Sequence, residues 1–94
     1  MIGTYIRACR KRRNLLLREL AASLNMDSAM LSKMERGLRP FRKEDLAILS
    51  EVLKESYDFL YTKWLADKAL RATDDKLHQT KALELALSLC KNQN

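Results

Sequence analysis

The stretch MDSAMLSKMERG, residues 26–37, holds the residues of this chain whose types and spacing best suggest chemistry. Wound as a helix, it sets Leu31 and Met34 on an apolar edge, and Gly37 stops it. The opposite side carries only Ala29, Ser32, Lys33 and Arg36, two small residues and two cations. Such a face suits reversible contact with something negatively charged. It does not suit bond making, and the rest of the chain supplies no better candidate for catalysis. The single histidine, His78, has no cysteine or carboxylate at metal-ligand spacing, and no serine or cysteine sits in a nucleophile motif. Cys9 and Cys90 lie at opposite ends of the chain in neither a metal nor a redox spacing, and are expected to be reduced thiols. Neither enzymatic activity nor a cofactor or metal is expected.

The charge distribution points the same way. Residues 1–45 hold eleven Lys/Arg against five Asp/Glu, whereas residues 46–94 hold seven of each, so the whole net charge of +6 resides in the first half. The run KMERGLRPFRK (33–43) alone has five cations and one acid. A basic half joined to a neutral half implies a polyanion-binding face built onto a neutral scaffold or interface. No apolar run approaches the ~20 residues of a membrane span. In MIGTYIRACRKRR the charges follow the apolar residues, the reverse of a secretory signal, so a cytoplasmic location is expected.

The elements that must position the small, cationic face are helices. Only two glycines and one proline are present, and there is no period-2 run for strands. Ile2, Ile6 and Cys9 recur on one side of a first helix over about 2–13, with Asn14 as its stop. Leu17, Leu20, Ala21 and Leu24 fall at i, i+3, i+4, i+7, the apolar stripe of a second helix over about 17–24. Asn25 tolerates the left-handed turn that follows, and Asp27 stands where an N-cap belongs. The third helix, about 28–35, therefore follows the second after a three-residue turn, a helix-turn-helix candidate. A fourth helix is expected over about 42–54, with Glu44 and Asp45 in its first turn, where the helix dipole favours acids. A fifth, about 57–72, aligns Tyr57, Leu60, Tyr61, Trp64 and Leu65.

The sixth helix, about 75–91, differs from the others. Its polar residues Lys81, Glu84, Ser88 and Lys91 form a narrow stripe, and Ala82, Leu83, Leu85, Ala86, Leu87, Leu89 and Cys90 fill the remainder. A helix apolar over most of its girth must be covered from two sides. One cover can be its own domain and the other a second subunit. The reading is a homodimer through helices five and six, with Tyr61, Trp64, Leu65, Leu83, Leu87 and Cys90 at the interface.

Residues 2–60 resemble the phage-repressor type of helix-turn-helix domain, a five-helix lambda-repressor-like unit. The matching residues are Ile6 and Arg10, ELA at 19–21, LSKMERG at 31–37, Pro40 and the leucine-rich helix after it. The resemblance implies an all-α chain. Residues 1–60 would form the DNA-binding domain, and residues 61–94 a helical extension with one additional C-terminal helix, part of the same compact unit. It also implies that the third helix lies in the major groove of double-stranded DNA, with two subunits on half-sites about one helical turn apart. Carried over position by position, Ser28, Ala29, Ser32 and Lys33 would reach base edges, and Arg36, Arg39, Arg42 and Lys43 would hold phosphates. Lysine can donate to guanine, serine to either strand, and an alanine methyl can touch a thymine methyl. Glu35 faces the core, where a lone carboxylate would be costly, and the resemblance pairs it with Arg10.

Three positions depart from the family pattern. Leu17 stands where a glutamine commonly touches the backbone of DNA, Asn25 where glycine is usual, and Phe41 in place of a hydroxyl cap. With one lysine over the bases, shape and deformability of the site are expected to carry more of the specificity. A small repressor or activator is the simplest role. A restriction–modification controller, or an antitoxin offering its C-terminal helix to a partner protein, are alternatives. An interaction module that has lost DNA binding is a further one, favoured by Leu15–Leu17 and opposed by the basic half.

Overall fold

The computed structural model of the chain describes residues 1–93, all of whose regular structure is helical. The helices are α1 (Ile2–Arg12), α2 (Leu17–Ser23), α3 (Ser28–Glu35), α4 (Asp45–Leu53), α5 (Tyr57–Ala72) and α6 (Gln79–Gln93). They group into two compact units, Met1–Trp64 and Leu65–Asn94. The division falls within α5. Among the described residues, no helix is long and apolar enough to cross a membrane.

The first unit is built around the expected apolar stripes. Ile2, Ile6 and Cys9 of α1, Leu20, Ala21 and Leu24 of the α2 segment, Leu31 and Met34 of α3, Leu46, Leu49 and Leu53 of α4, and Leu60 of α5 are all buried. Each fully buried leucine or isoleucine contributes about 1.5–3 kcal/mol relative to exposure. Gly3 has a separate task. A Cβ at this position would overlap the carbonyl oxygens of Met34 and Glu35, so the first turn of α1 rests directly on the end of α3.

The first four helices close with a left-handed residue, which lets chain direction change within a short loop. Asn14, Asn25, Lys54 and Gly37 have φ of 56°, 57°, 56° and 79°. In the first, Asn14 N–H donates to the Lys11 carbonyl and Leu15 N–H to the Arg10 carbonyl. The same pair of bonds recurs from Asn25 and Met26 to Ala22 and Ala21, and from Gly37 and Leu38 to Met34 and Lys33. These satisfy carbonyls that a helix end would otherwise leave free. At Lys54, Glu55 N–H reaches the Ser50 carbonyl at 3.1 Å, and Ser50 Oγ donates to the Glu55 carbonyl at 2.6 Å.

Two helix starts differ from expectation, each for a local reason. α4 begins at Asp45 rather than about residue 42, because the Asp45 carboxylate accepts from the Arg42 N–H at 2.9 Å and holds residues 42–44 in a turn. Asp45 is also 1% exposed, not the surface acid of a first turn. α6 begins at Gln79 rather than about residue 75. The Asp75 carboxylate accepts from the N–H groups of both Leu77 and His78 at 3.0 Å, holding residues 75–78 in a turn before the helix.

The second unit contains the end of α5 and α6. Gln79 Nε2 donates to the Leu70 carbonyl at 3.1 Å, closing the connection between them. Along α6 none of the described residues is buried, and Leu85, Leu87 and Leu89 are more than half exposed.

Candidate nucleic-acid interface

The geometry of α3 is set at both of its ends. Asp27 is extended (φ −82°, ψ 164°) and its carboxylate accepts from the Met30 N–H at 2.8 Å, satisfying a donor that the helix cannot use internally. Gly37 closes the other end, so α3 is two turns long. Its inner side is anchored by Leu31, Met34 and Glu35.

Glu35 and Arg10 meet in the interior. Arg10 Nε donates to Glu35 Oε2 at 2.8 Å and Nη2 to Oε1 at 3.1 Å, a two-pronged pair. The remaining guanidinium nitrogen, Nη1, donates to the Leu15 carbonyl at 2.9 Å. Each guanidinium nitrogen thus makes a hydrogen bond, and such bonds are what make a buried ion pair tolerable. The bond to Glu35 raises the Arg10 guanidinium above its ordinary range and keeps it charged. Through this pair α1, the α1–α2 loop and the end of α3 form one rigid corner.

The outer side of α3 is left free by that anchoring. Ala29 and Lys33 are exposed, Ser28 and Ser32 are half-buried, and Arg36 is exposed beyond the last turn. Arg36 Nε donates to the Ser32 carbonyl at 3.2 Å, which holds its stem against the helix. The four residues expected over bases therefore share one face with Arg36 at its end.

Cations border this face on both sides. On one side Arg7 of α1 joins Arg36, Ser32 and Leu17 around a cleft of about 130 Å³. On the other lies the loop between α3 and α4, carrying Arg39, Arg42 and Lys43. This loop is pinned rather than loose. Phe41 is buried, and its carbonyl accepts from Trp64 Nε1 at 2.7 Å. Lys43 Nζ sits 5.1 Å from the centre of the Tyr61 ring, a cation–π contact. Arg42 Nη2 donates to Asp45 Oδ1 at 3.0 Å, and this bond raises the guanidinium above its ordinary range. Arg42 is therefore a partner of Asp45 first, yet 58% of its side chain remains exposed to a second anion. Phe41, standing where a hydroxyl cap was expected, serves instead as a core anchor.

At the start of α2, Leu16 has no side-chain acceptor, and the Glu19 carboxylate takes up the Leu16 N–H at 2.7 Å. The first-turn Glu19 N–H goes to the Leu16 carbonyl at 3.0 Å rather than to a side-chain cap, and Leu17 is half-buried against the core.

Taken together, α2, the left-handed Asn25, the Asp27 cap and an α3 with a free cationic face form the two-helix corner anticipated from the sequence. A family model described as helix-turn-helix matches residues 6–60, well over half of the chain. The chain belongs to the helix-turn-helix family. The helix-turn-helix protein has the all-helical, lambda-repressor-like fold that this family implies, and it is a DNA-binding transcription regulator in the general sense. Double-stranded DNA is the ligand that the domain implies. No curated protein and no solved structure gives a significant match to the helix-turn-helix protein.

Some residues of the corner were not anticipated. Arg7 sits beside Arg36 because α1 crosses the end of α3, a contact that no local spacing encodes. Gly3 could have been noticed, because a glycine inside a helix usually has a packing reason. Of the expected dimer residues, Tyr61 and Trp64 are half-buried against the first unit's own core. Leu65, Leu87 and Cys90 are exposed and Leu83 is half-buried.

Proposed function

We propose that this is a sequence-specific, dimeric repressor that reads the major groove of a palindromic operator, acting in the cytoplasm without enzymatic activity. The observation that carries the reading is the outer face of α3: small residues and one lysine between two borders of cations. A helix must bring its backbone close to base edges to read them, and phosphates run along both sides of a groove. In this reading Ser28, Ala29, Ser32 and Lys33 contact bases. Arg36, Arg39, Arg42 and Lys43 hold phosphates, joined by Arg7 on the opposite border.

The exposed leucines of α6 support association with a second copy. That interface draws on Leu65, Leu83, Leu87 and Cys90, with Leu85 and Leu89 added, whereas Tyr61 and Trp64 serve the first unit. The same leucines suit a partner protein, as in a restriction–modification controller or an antitoxin.

Selection from a random duplex pool at about 150 mM salt tests the reading, because that condition suppresses binding that rests on charge alone. An enriched inverted repeat with half-sites about ten base pairs apart is expected. No enrichment would sink the base-reading role of α3. On a selected site, Lys33→Ala should cost about 1–3 kcal/mol and relax one position, while Arg39→Ala should weaken all sequences alike and lower the salt slope by about 1.

A further inference from the structure

Met30 and Met34 lie one turn apart on one side of α3, next to the Lys33 edge of its outer face, and Met26, in the turn before the Asp27 cap, lines the same cleft. Met34 is buried, and Met26 and Met30 are half-buried against the core. The loop after α3 passes alongside them. With Asn25, Pro40 and the exposed Arg39 and Arg42, the three methionines line a cleft of about 350 Å³. That volume lies at the lower end of small-molecule sites, about 300–1,000 Å³.

The two arginines are not equivalent. Arg42 is shared with Asp45 at 3.0 Å and Glu44 at 3.8 Å. Arg39 is exposed, and no hydrogen bond or ion pair ties it to the described residues. Methionine is unbranched and polarizable, so a three-methionine wall adapts to irregular apolar shapes. An apolar wall with an unpaired guanidinium in the same cleft matches a ligand with an apolar body and one anionic head, and a carboxylate fits the planar donor fork of arginine.

We propose that this cleft binds a small, free amphipathic carboxylate, its tail against Met26, Met30 and Met34 and its head on Arg39, and that the bound ligand competes with DNA. The competition rests on the reading that Arg39 and Arg42 hold phosphates. Both anions then need Arg39, and each must weaken the other.

The test uses the full chain labelled with ¹³C at the methionine methyl groups, titrated with octanoate. The chain has four methionines, and Met1 lies outside the cleft as an internal control. Saturable shifts are expected at Met26, Met30 and Met34 and none at Met1. Octanol should bind about fivefold more weakly, the scale of one exposed ionic contact, and Arg39→Ala should bring octanoate down to the octanol level. Octanoate should displace a selected duplex, and acetate at equal concentration should not.

Shifts that do not saturate, that reach Met1 equally, or that are matched by octanol would overturn the site. Saturable shifts with duplex binding unchanged would overturn the competition and leave the DNA reading standing. A chain that binds no duplex would sink the DNA reading, while the methionine shifts still decide the site.

Discussion

The two units of this chain are made of similar residues and treat them differently. In Met1–Trp64 Leu20, Leu31, Leu46, Leu49 and Leu53 are driven to near-zero exposure, and the charged groups that go inside are matched, Arg10 with Glu35 and Asp45 with Arg42. In Leu65–Asn94, Leu77, Leu85, Leu87 and Leu89 are 84%, 60%, 56% and 53% exposed. Among the described residues of that unit only Asp67 is buried. Hydrophobicity alone therefore does not decide burial. A stripe about one face wide finds a partner within a small domain, and a helix apolar nearly all round does not. The first unit buries its apolar stripes within itself, and the second leaves most of its leucines exposed.

The contrast can be broken most forcefully at the buried pair. Glu35→Ala leaves the Arg10 guanidinium buried without its carboxylate and is expected to cost about 3–5 kcal/mol in urea unfolding. A cost under about 1 kcal/mol would mean that water reaches Arg10 and that the corner is not rigid. A smaller loss is expected at the α3 cap. Asp27→Ala should cost about 1 kcal/mol, and native-state hydrogen exchange should show the loss concentrated at the start of α3 rather than spread over the core.

In the second unit the same experiment should register almost nothing. Replacing Leu85 and Leu87 together with serine is expected to stay within about 0.5 kcal/mol for the unfolding of the first unit, as at ordinary surface positions. The mass measured by sedimentation should instead fall from dimer to monomer. Unchanged mass would remove the self-association reading and favour a different partner.

The smallest effect is at Tyr5. Its phenol is pushed up to about 12, first by the hydrogen bond it donates to Glu55 and then by burial, from an ordinary value of 10.0. The fold favours the neutral phenol, so this stabilisation is complete below pH 10 and is lost as pH rises through about 12. Relative to Tyr5→Phe, the native protein should lose stability across that window and not below it. A parallel pH dependence of the two proteins would mean that the bond contributes nothing.

What could be read in advance divides along physical lines. α3 and α5 have the expected bounds, because each is marked by local devices: the Asp27 cap and the Gly37 stop, and the aromatic stripe from Tyr57. Helix ends were less legible wherever a side chain reached across a turn, as Asp45 does to Arg42 and Asp75 to Leu77 and His78. Lys54 in the left-handed region carried no signal, since lysine gives no hint of positive φ. For Tyr61 and Trp64 the stripe was legible and its neighbours were not. An aromatic stripe shows that something is covered, and only packing shows that the cover lies against Phe41 and the core.

By itself the sequence determined the helical class, the corner formed by α2 and α3, and the small cationic face between its cap and its glycine. All of these follow from spacings of a few residues, the range over which backbone geometry and side-chain type act directly. Only the tertiary structure decided that Arg7 joins Arg36, that Gly3 lets α1 rest on the end of α3, that Arg42 belongs first to Asp45, and that none of the described residues of α6 is buried. The contacts among these that join distant segments depend on how one helix lies on another. That geometry is set by the whole packed core rather than by any stretch of residues within it.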